Sequence, residues 1–81
     1  MERDKVYAAI YSERHYQDKK WNTSGRHKPT ESYMLYMKAY LDEAIQNISH
    51  TAGDAEALEI LRKVVALGVA CFEDNGGPFR N

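Results

Sequence analysis

The sequence has few of the residues with which small proteins hold a fold together through covalent or metal bonds. It contains a single cysteine, Cys71, among 81 residues, so the chain cannot form an internal disulfide. It also has no cysteine or histidine spacing typical of a structural zinc site. A chain this short buries a small fraction of its surface and is only marginally stable. We therefore expect association with other copies to stabilise the fold.

The sequence also lacks an excess of charge of either sign. It has 11 Lys and Arg residues against 12 Asp and Glu residues, which gives a formal net charge of -1. Nucleic-acid-binding domains usually carry a basic excess that neutralises phosphates. We therefore do not expect nucleic acid to be a partner.

Long apolar runs are missing as well. The longest, from Val64 to Phe72, is about half of the ~20 residues that a membrane span requires. The first residues are charged from Glu2 onward and do not have the pattern of a signal peptide or anchor. Since Cys71 is a free thiol within an apolar run, we expect a soluble protein of the reducing cytoplasm with no membrane partner.

Apolar residues at helical spacing are present in three segments, separated by short stretches rich in Gly, Ser, Asn or Pro. The first segment covers about 4–21, and the second, about 31–48, follows Pro29 with Thr30 or Ser32 as candidate N-cap. The first predicted stripe comprises Val6, Ala9, Ile10, Tyr16 and Trp21. The second comprises Met34, Met37, Leu41, Ala44, Ile45 and Ile48, flanked by Tyr33, Tyr36 and Tyr40.

The third segment, about 54–74, is apolar on more than one side. Thr51 to Asp54 resembles a capping box before it, and Gly76 can end it in a left-handed conformation. One stripe comprises Leu58, Leu61, Val64, Val65, Gly68 and Phe72, and Ile60, Leu67 and Cys71 extend it around the helix. Such a helix needs two packing partners. The sequence thus predicts one all-α domain over 1–81, a three-helix antiparallel bundle completed by oligomerisation.

Glu13 and Gln17 are unexpected because they fall on the apolar face of the first segment. A buried carboxylate is unfavourable unless it is paired, hydrogen-bonded or bound to a metal. We favour a structural ion pair of Glu13 with Arg62 or Lys63. The alternative is that Glu13 is a ligand for a metal or substrate.

The other acidic residues that could take part in catalysis or bind a metal lie on the second and third segments. Asp42 and Glu43 are adjacent, so their side chains diverge by about 100° around a helix, which favours a solvated polar face. Glu59 lies one turn from Arg62 and Lys63, a spacing that suits an ion pair. Cys71 has no nearby basic residue to activate it, so we interpret it as an inert core thiol.

Three blocks of the sequence resemble the small MazG-like proteins of phages and prophages. The first, 9–21 (AIYSERHYQDKKW), matches the pattern I-x-x-E-R-x-x-Q-D-x-K-W through Ile10, Glu13, Arg14, Gln17, Asp18, Lys20 and Trp21. The second and third blocks are 36–44 (YMKAYLDEA) and 61–73 (LRKVVALGVACFE), the latter followed by 77–80 (GPFR). The resemblance extends over almost the whole chain.

MazG-type proteins are all-α, Mg²⁺-dependent nucleoside triphosphate pyrophosphohydrolases that assemble as dimers or tetramers. The resemblance implies Mg²⁺ ligation by Asp42, Glu43 and Glu59, with Glu43 and Glu59 as catalytic residues. It also implies substrate binding by Glu13, Gln17, Lys20, Trp21, Arg62 and Lys63. The family's metal motif is EExxE on one helix and ExxD on the next, and here Gln46 and Arg62 replace two of its acids. A cation such as Arg62 would repel a metal but bind a phosphate directly.

Two functions are consistent with these observations. The first is a MazG-like nucleotide-binding protein, either a nucleoside triphosphate pyrophosphohydrolase or a relative with weakened or lost catalysis. The second is a non-enzymatic phage accessory protein that binds a host protein or sequesters a nucleotide, for instance against host defence. Either would act in the cytoplasm, that of the host if the protein is phage-encoded.

Overall fold

The computed structural model describes residues 1–21 and 27–80, which form three α-helices. Helix α1 spans Arg3–Trp21, α2 spans Thr30–His50 and α3 spans Ala55–Asn75. Over these two described stretches the chain contains no strand, so the fold is an all-α bundle, as the apolar spacing predicts. No helix in the same stretches is long and apolar enough to cross a membrane.

The segment between α2 and α3 is not the predicted capping box. Asp54 occupies the N-cap of α3 without a side-chain hydrogen bond to that helix. Thr51 instead closes α2, because its backbone N–H and its hydroxyl both donate to Asn47 O, at 3.0 and 2.8 Å. At the start of α2 the N-cap is Pro29, so neither Thr30 nor Ser32 has the predicted role. Gly76 ends α3 with a positive φ of 90°, as its position predicts.

Helix α3 lies at the centre of the bundle, and both α1 and α2 pack along it. One core cluster joins Tyr33 of α2 to Leu67, Ala70 and Cys71 of α3. A second joins Ala44 of α2 to Ala57 and Ile60, and Tyr40 packs against both clusters. Cys71 is a buried free thiol within this core.

The core faces of α1 and α2 differ from the predicted stripes. On α1, Glu13 and Gln17 are buried, whereas Val6 and Tyr16 are exposed. On α2, the tyrosines Tyr33 and Tyr40 contact α3. The side of α2 that packs on α3 is therefore rotated around the helix axis, by about one residue, from the predicted stripe. The reason is that the large tyrosine rings fill the space beside α3.

This rotation leaves an apolar surface uncovered, which we call the apolar face. Its side chains are between 40% and 62% exposed, and follow helical spacing along α2 and α3. They are Met34, Leu41, Ile45, Ile48, Leu58, Leu61, Val65 and Phe72. A β-carbon built on Gly68 would lie 3.5 Å from Met37 Cε, and these two residues continue the helical spacing of the two rows, which places the rows on adjoining sides of α2 and α3. The prediction that α3 is apolar on two sides is confirmed, and the described part of the chain covers only one of them.

Candidate functional site

The buried polar residues of α1 are held by α3. Glu13 is 6% exposed, and its Oε1 accepts a hydrogen bond from Arg62 Nε at 2.8 Å, which confirms the predicted ion pair. Gln17 is 2% exposed and donates from Nε2 to Lys63 O at 3.3 Å. Arg62 therefore pairs across the helix interface with Glu13, and the local pairing with Glu59 suggested by their spacing is not seen in the described residues.

Five of the six residues assigned to substrate binding surround one depression, which we call the aromatic groove. They are Glu13, Gln17, Lys20, Trp21 and Lys63, and Tyr16 and Tyr40 complete the lining. The groove has a volume of about 20 Å³, enough for roughly one water molecule. A planar ligand would therefore lie over its rim of aromatic rings instead of entering it. Arg62, the sixth residue, is not part of the lining, but it donates a hydrogen bond to Glu13, which is.

A larger opening, the acidic cleft, lies between the C-terminal half of α2 and the N-terminal half of α3. It has a volume of about 530 Å³. Its lining residues are Glu43, Gln46, Asn47, His50, Thr51, Glu56, Glu59, Ile60 and Lys63. Glu56 accepts a hydrogen bond from Asn47 Nδ2 at 2.5 Å, which links the two helices within the lining of the cleft. Both residues assigned to catalysis, Glu43 and Glu59, thus face the same space.

Lys63 joins the two depressions. It lines both the aromatic groove and the acidic cleft, and its Nζ lies 5.8 Å from the centre of the Tyr40 ring. An ammonium group at that distance is attracted by the ring face. A ligand with an anionic part and a planar part would meet this lysine wherever it crossed from cleft to groove.

The residues assigned to Mg²⁺ are brought together only in part. Glu43 and Glu59 line the cleft, whereas Asp42 is bound by Lys38 Nζ at 2.7 Å on the solvent side of α2. Within residues 1–21 and 27–80, no three His, Cys, Asp or Glu side chains are close enough to form a metal site. Glu43 and Glu59 are nevertheless of the donor type that Mg²⁺ prefers, and in nucleotide sites one or two carboxylates often hold the ion together with substrate phosphates and water.

Two polar clusters were missed by the sequence reasoning. Arg14 donates from Nε and Nη2 to Glu73 Oε1 at 2.9 and 2.6 Å, and from Nη2 to Asp18 at 2.9 Å. Burial opposes the charge on Arg14, but these two carboxylates raise the pKa of its guanidinium overall. The i,i+4 spacing of Arg14 and Asp18 was a usable signal, whereas Glu73 lies too far along the chain to be paired by pattern.

The second cluster lies at the end of α3. Tyr33 donates its hydroxyl to Asp74 Oδ2 at 2.5 Å, and the backbone N–H of Lys28 donates to the same oxygen at 3.3 Å. Burial, together with the bond to Asp74, raises the pKa of Tyr33 above its ordinary value of 10.0. The hydrogen bond from Tyr33 has the larger effect on Asp74 and that from the Lys28 backbone the next largest, and together they lower the pKa of Asp74 below its ordinary value of 3.8. No sequence pattern indicated this cluster.

Comparison with protein families, with curated proteins and with solved structures gives no match for this chain.

Proposed function

We propose that this protein is a MazG-like nucleotide-binding protein, with the phosphates in the acidic cleft and the base over the aromatic groove. The observation that carries the proposal is the position of Lys63, which lines both depressions. The resemblance in sequence is independent of that geometry and implies the same class of ligand. The protein would act in the cytoplasm, that of the host if it is phage-encoded, where nucleoside triphosphates are present.

In this proposal the groove residues recognise the base and sugar. Trp21 and Tyr40 offer ring faces on which a base can stack, a contact worth roughly 1–3 kcal/mol per base. Lys20 is exposed beside them and would meet a phosphate or a ribose hydroxyl. Glu13 and Gln17 are already engaged with α3, so their contribution is to keep α1 and its Trp21 in place.

The cleft residues would act on the phosphates. Glu43 and Glu59 are the side chains that would hold Mg²⁺, which supplies charge neutralisation and an activated water for pyrophosphate release. Lys63 would bind a non-bridging phosphate oxygen without a metal, because an ammonium is a strong point donor to phosphate. Asp42 enters this set only through the sequence resemblance. Because Gln46 replaces one of the acids of the family's metal motif, we expect hydrolysis to be weakened more than nucleotide binding.

The proposal is tested by thermal shift with a panel of NTPs and dNTPs, with and without Mg²⁺, together with a pyrophosphate-release assay. Saturating ligand should raise Tm by several degrees, since a domain of this size shifts by about 4–8 °C per kcal/mol. Lys63→Ala should weaken the affinity roughly tenfold, the loss typical of a charged hydrogen bond. Glu43→Ala should abolish the Mg²⁺-dependent part of the shift.

Lys19→Ala is the matched control, because Lys19 is an exposed lysine of α1 that lines neither depression. It should bind as the unmodified protein does. An equal loss of affinity in Lys19→Ala and Lys63→Ala would contradict the assignment of the site. Absence of any shift across the panel would reject nucleotide binding altogether.

We further propose that a second copy of the chain covers the apolar face. Its eight side chains leave roughly 700–800 Å² of apolar surface exposed, taking about 100 Å² for each, which matches the area one partner contributes to a stable protein interface. A monomer seldom leaves a continuous apolar patch of this size in water. A dimer, or a tetramer built from dimers, would bury it and supply the stability that a short chain lacks.

The second candidate function is a non-enzymatic accessory protein, and the same apolar face favours it. A host protein with an apolar helix or groove would cover that face in place of a second copy. The two candidates make different predictions for the purified protein. A stable monomer that shows no nucleotide-dependent shift supports the accessory protein, whereas a dimer with a nucleotide-dependent shift supports the first proposal.

A further inference from the structure

Lys28 lies among three aromatic rings at the start of α2. Its Nζ is 5.3 Å from the centre of the Trp21 ring, 5.4 Å from that of Tyr36 and 5.9 Å from that of Tyr33. Other lysines of the described chain contact aromatic rings singly, as Lys20 does over Tyr16 at 5.9 Å. The convergence of three ring faces on one ammonium distinguishes this place, which we call the aromatic cage.

We propose that the aromatic cage is a binding site for a methylated organic ammonium ion, and that Lys28 closes it in this structure as an internal occupant. Ring faces attract a cation but accept hydrogen bonds poorly. A lysine ammonium carries three N–H donors that want acceptors, and the described residues give Lys28 Nζ no salt bridge. A quaternary ammonium has no N–H group, so it suits the cage better than the lysine that fills it.

The surroundings of the cage favour a cation. Asp74 borders the cage at Tyr33, where its Oδ2 accepts a hydrogen bond from the hydroxyl of that tyrosine at 2.5 Å. A hydrogen bond to a carboxylate makes the phenol ring more electron-rich, which strengthens its attraction for positive charge. Asp74 also brings a negative charge close to the site.

The internal occupant can leave without disturbing the fold. The backbone of Lys28 is anchored at the end of α3, through its N–H to Asp74 Oδ2 at 3.3 Å and through its carbonyl to Asn75 Nδ2 at 3.0 Å. Only the flexible side chain has to swing into water to open the cage. Lys28 therefore competes with a ligand instead of blocking it permanently, and its removal should strengthen binding.

The probe is tetramethylammonium chloride, titrated against sodium chloride at equal ionic strength. Trp21 is the only tryptophan of the chain, so its fluorescence reports on the cage directly. We expect saturable, tetramethylammonium-specific quenching in Lys28→Ala. The unmodified protein should reach the same endpoint with an affinity roughly five- to tenfold weaker, because Lys28 occupies the cage most of the time.

Two variants serve as controls. Lys28→Ala combined with Tyr36→Ala should lose at least about fivefold in affinity, since one wall is gone and the exposed Tyr36 is not part of the core. Lys19→Ala should titrate as the unmodified protein does, because Lys19 is exposed and lines neither depression. The proposal is overturned if Lys28→Ala shows no ion-specific saturation, or if the Tyr36 variant binds as tightly as Lys28→Ala alone.

A measurement on the unmodified protein does not depend on any variant folding. The ε-methylene protons of Lys28 should resonate upfield, because the ring currents of three aromatic side chains shield them. Saturating tetramethylammonium should move them to the position of an exposed lysine. An upfield signal that tetramethylammonium leaves unchanged would also overturn the proposal. No nucleotide is used, so the outcome is independent of the nucleotide-binding proposal.

Discussion

Glu13 and Arg62 meet across the α1–α3 interface, and their unequal burial sets the importance of the pair. Glu13 is 6% exposed at its side chain, whereas Arg62 is 37% exposed. A carboxylate withdrawn from water this far depends on its partner, while the guanidinium can return to water if the partner is lost. Glu13 is therefore the residue through which the pair affects stability.

We expect Glu13→Ala to lower the free energy of unfolding by about 1–3 kcal/mol, less than for a pair buried at both ends, because Arg62 can rehydrate. Urea denaturation followed by circular dichroism measures this. Asp42→Ala is the matched control, since the Lys38–Asp42 pair is exposed on both sides, and its change should stay within about 0.5 kcal/mol. Equal effects of the two substitutions would show that the Glu13–Arg62 contact is not structural.

The Tyr33–Asp74 hydrogen bond gives the fold a pH dependence at both ends of the scale. The pKa of Asp74 is lowered in the fold, so its contribution is present above the ordinary value of 3.8 and is lost as pH falls through the lower folded pKa. The pKa of Tyr33 is raised, so its contribution is present below 10.0 and is lost as pH rises beyond that value. The bond therefore stabilises the protein most near neutral pH.

Tyr33→Phe keeps the ring and removes only the hydroxyl, so comparing Tm of the two proteins isolates this bond. We expect the variant to melt lower at about pH 7, and the difference to shrink as pH falls below about 3.8. The difference should also shrink above about pH 10, where the hydroxyl of the unfolded protein ionises. A difference in Tm that is constant from acid to alkali would mean that the hydroxyl of Tyr33 does not donate to an ionised Asp74.

Among these residues, the sequence located what depends on position along one helix. Glu13 and Gln17 were found because they are polar residues on an apolar helix face. For Glu13, the sequence offered two basic partners on the third segment, Arg62 and Lys63, and the structure has Arg62. The Arg14–Glu73 pair and the aromatic cage were not found. Their members lie on different elements, and only the packing of α1 and α2 on α3 brings them together.

At the scale of the element, Gly68 inside α3 and Gly76 directly after it have opposite backbone requirements. Gly68 lies inside the helix, and a β-carbon added there would meet only Met37 Cε at 3.5 Å, an ordinary contact. Within one chain there is thus no close approach of two backbones that would require a glycine. Gly76 ends the helix with a φ of 90°, a conformation that other residues adopt at a cost.

The same substitution should therefore have opposite effects at the two positions. Gly68→Ala should raise the free energy of unfolding by about 0.5–1 kcal/mol, because alanine favours the helix. Gly76→Ala should lower it by about 1 kcal/mol, because a positive φ of 90° is strained for alanine. Chemical denaturation at constant protein concentration measures both. Destabilisation by Gly68→Ala would indicate that a second copy approaches at this glycine.

At the scale of the whole molecule, the three helices do not enclose a large core. The radius of gyration is 13.6 Å, whereas about 12 Å is expected for a closed domain of this length. Among the described residues, Leu67 is one of the few large side chains to be almost fully buried, at 2% exposure. Apolar side chains of α2 and α3 that would complete a core lie instead on the apolar face.

We expect the purified protein to have the mass of a dimer or tetramer at micromolar concentration, measured by light scattering or sedimentation. Val65→Glu places a charge in the middle of the apolar face and should shift the protein towards the monomer. Ala39→Glu introduces the same charge on the exposed opposite side of α2 and should leave the mass unchanged. A well-folded monomer of the unmodified protein would reject the second-copy proposal.

The sequence alone determined that the chain is helical, how many helices it forms and that the third is apolar on two sides. These properties follow from spacing along one chain segment, which the 3.6-residue period of the helix translates directly into faces. Tertiary structure decided which arc of α2 packs on α3, which cation pairs with which carboxylate, and that Lys63 connects cleft and groove. Those outcomes depend on how the tyrosine rings pack and on where helices cross, and neither is encoded in the period of any single helix.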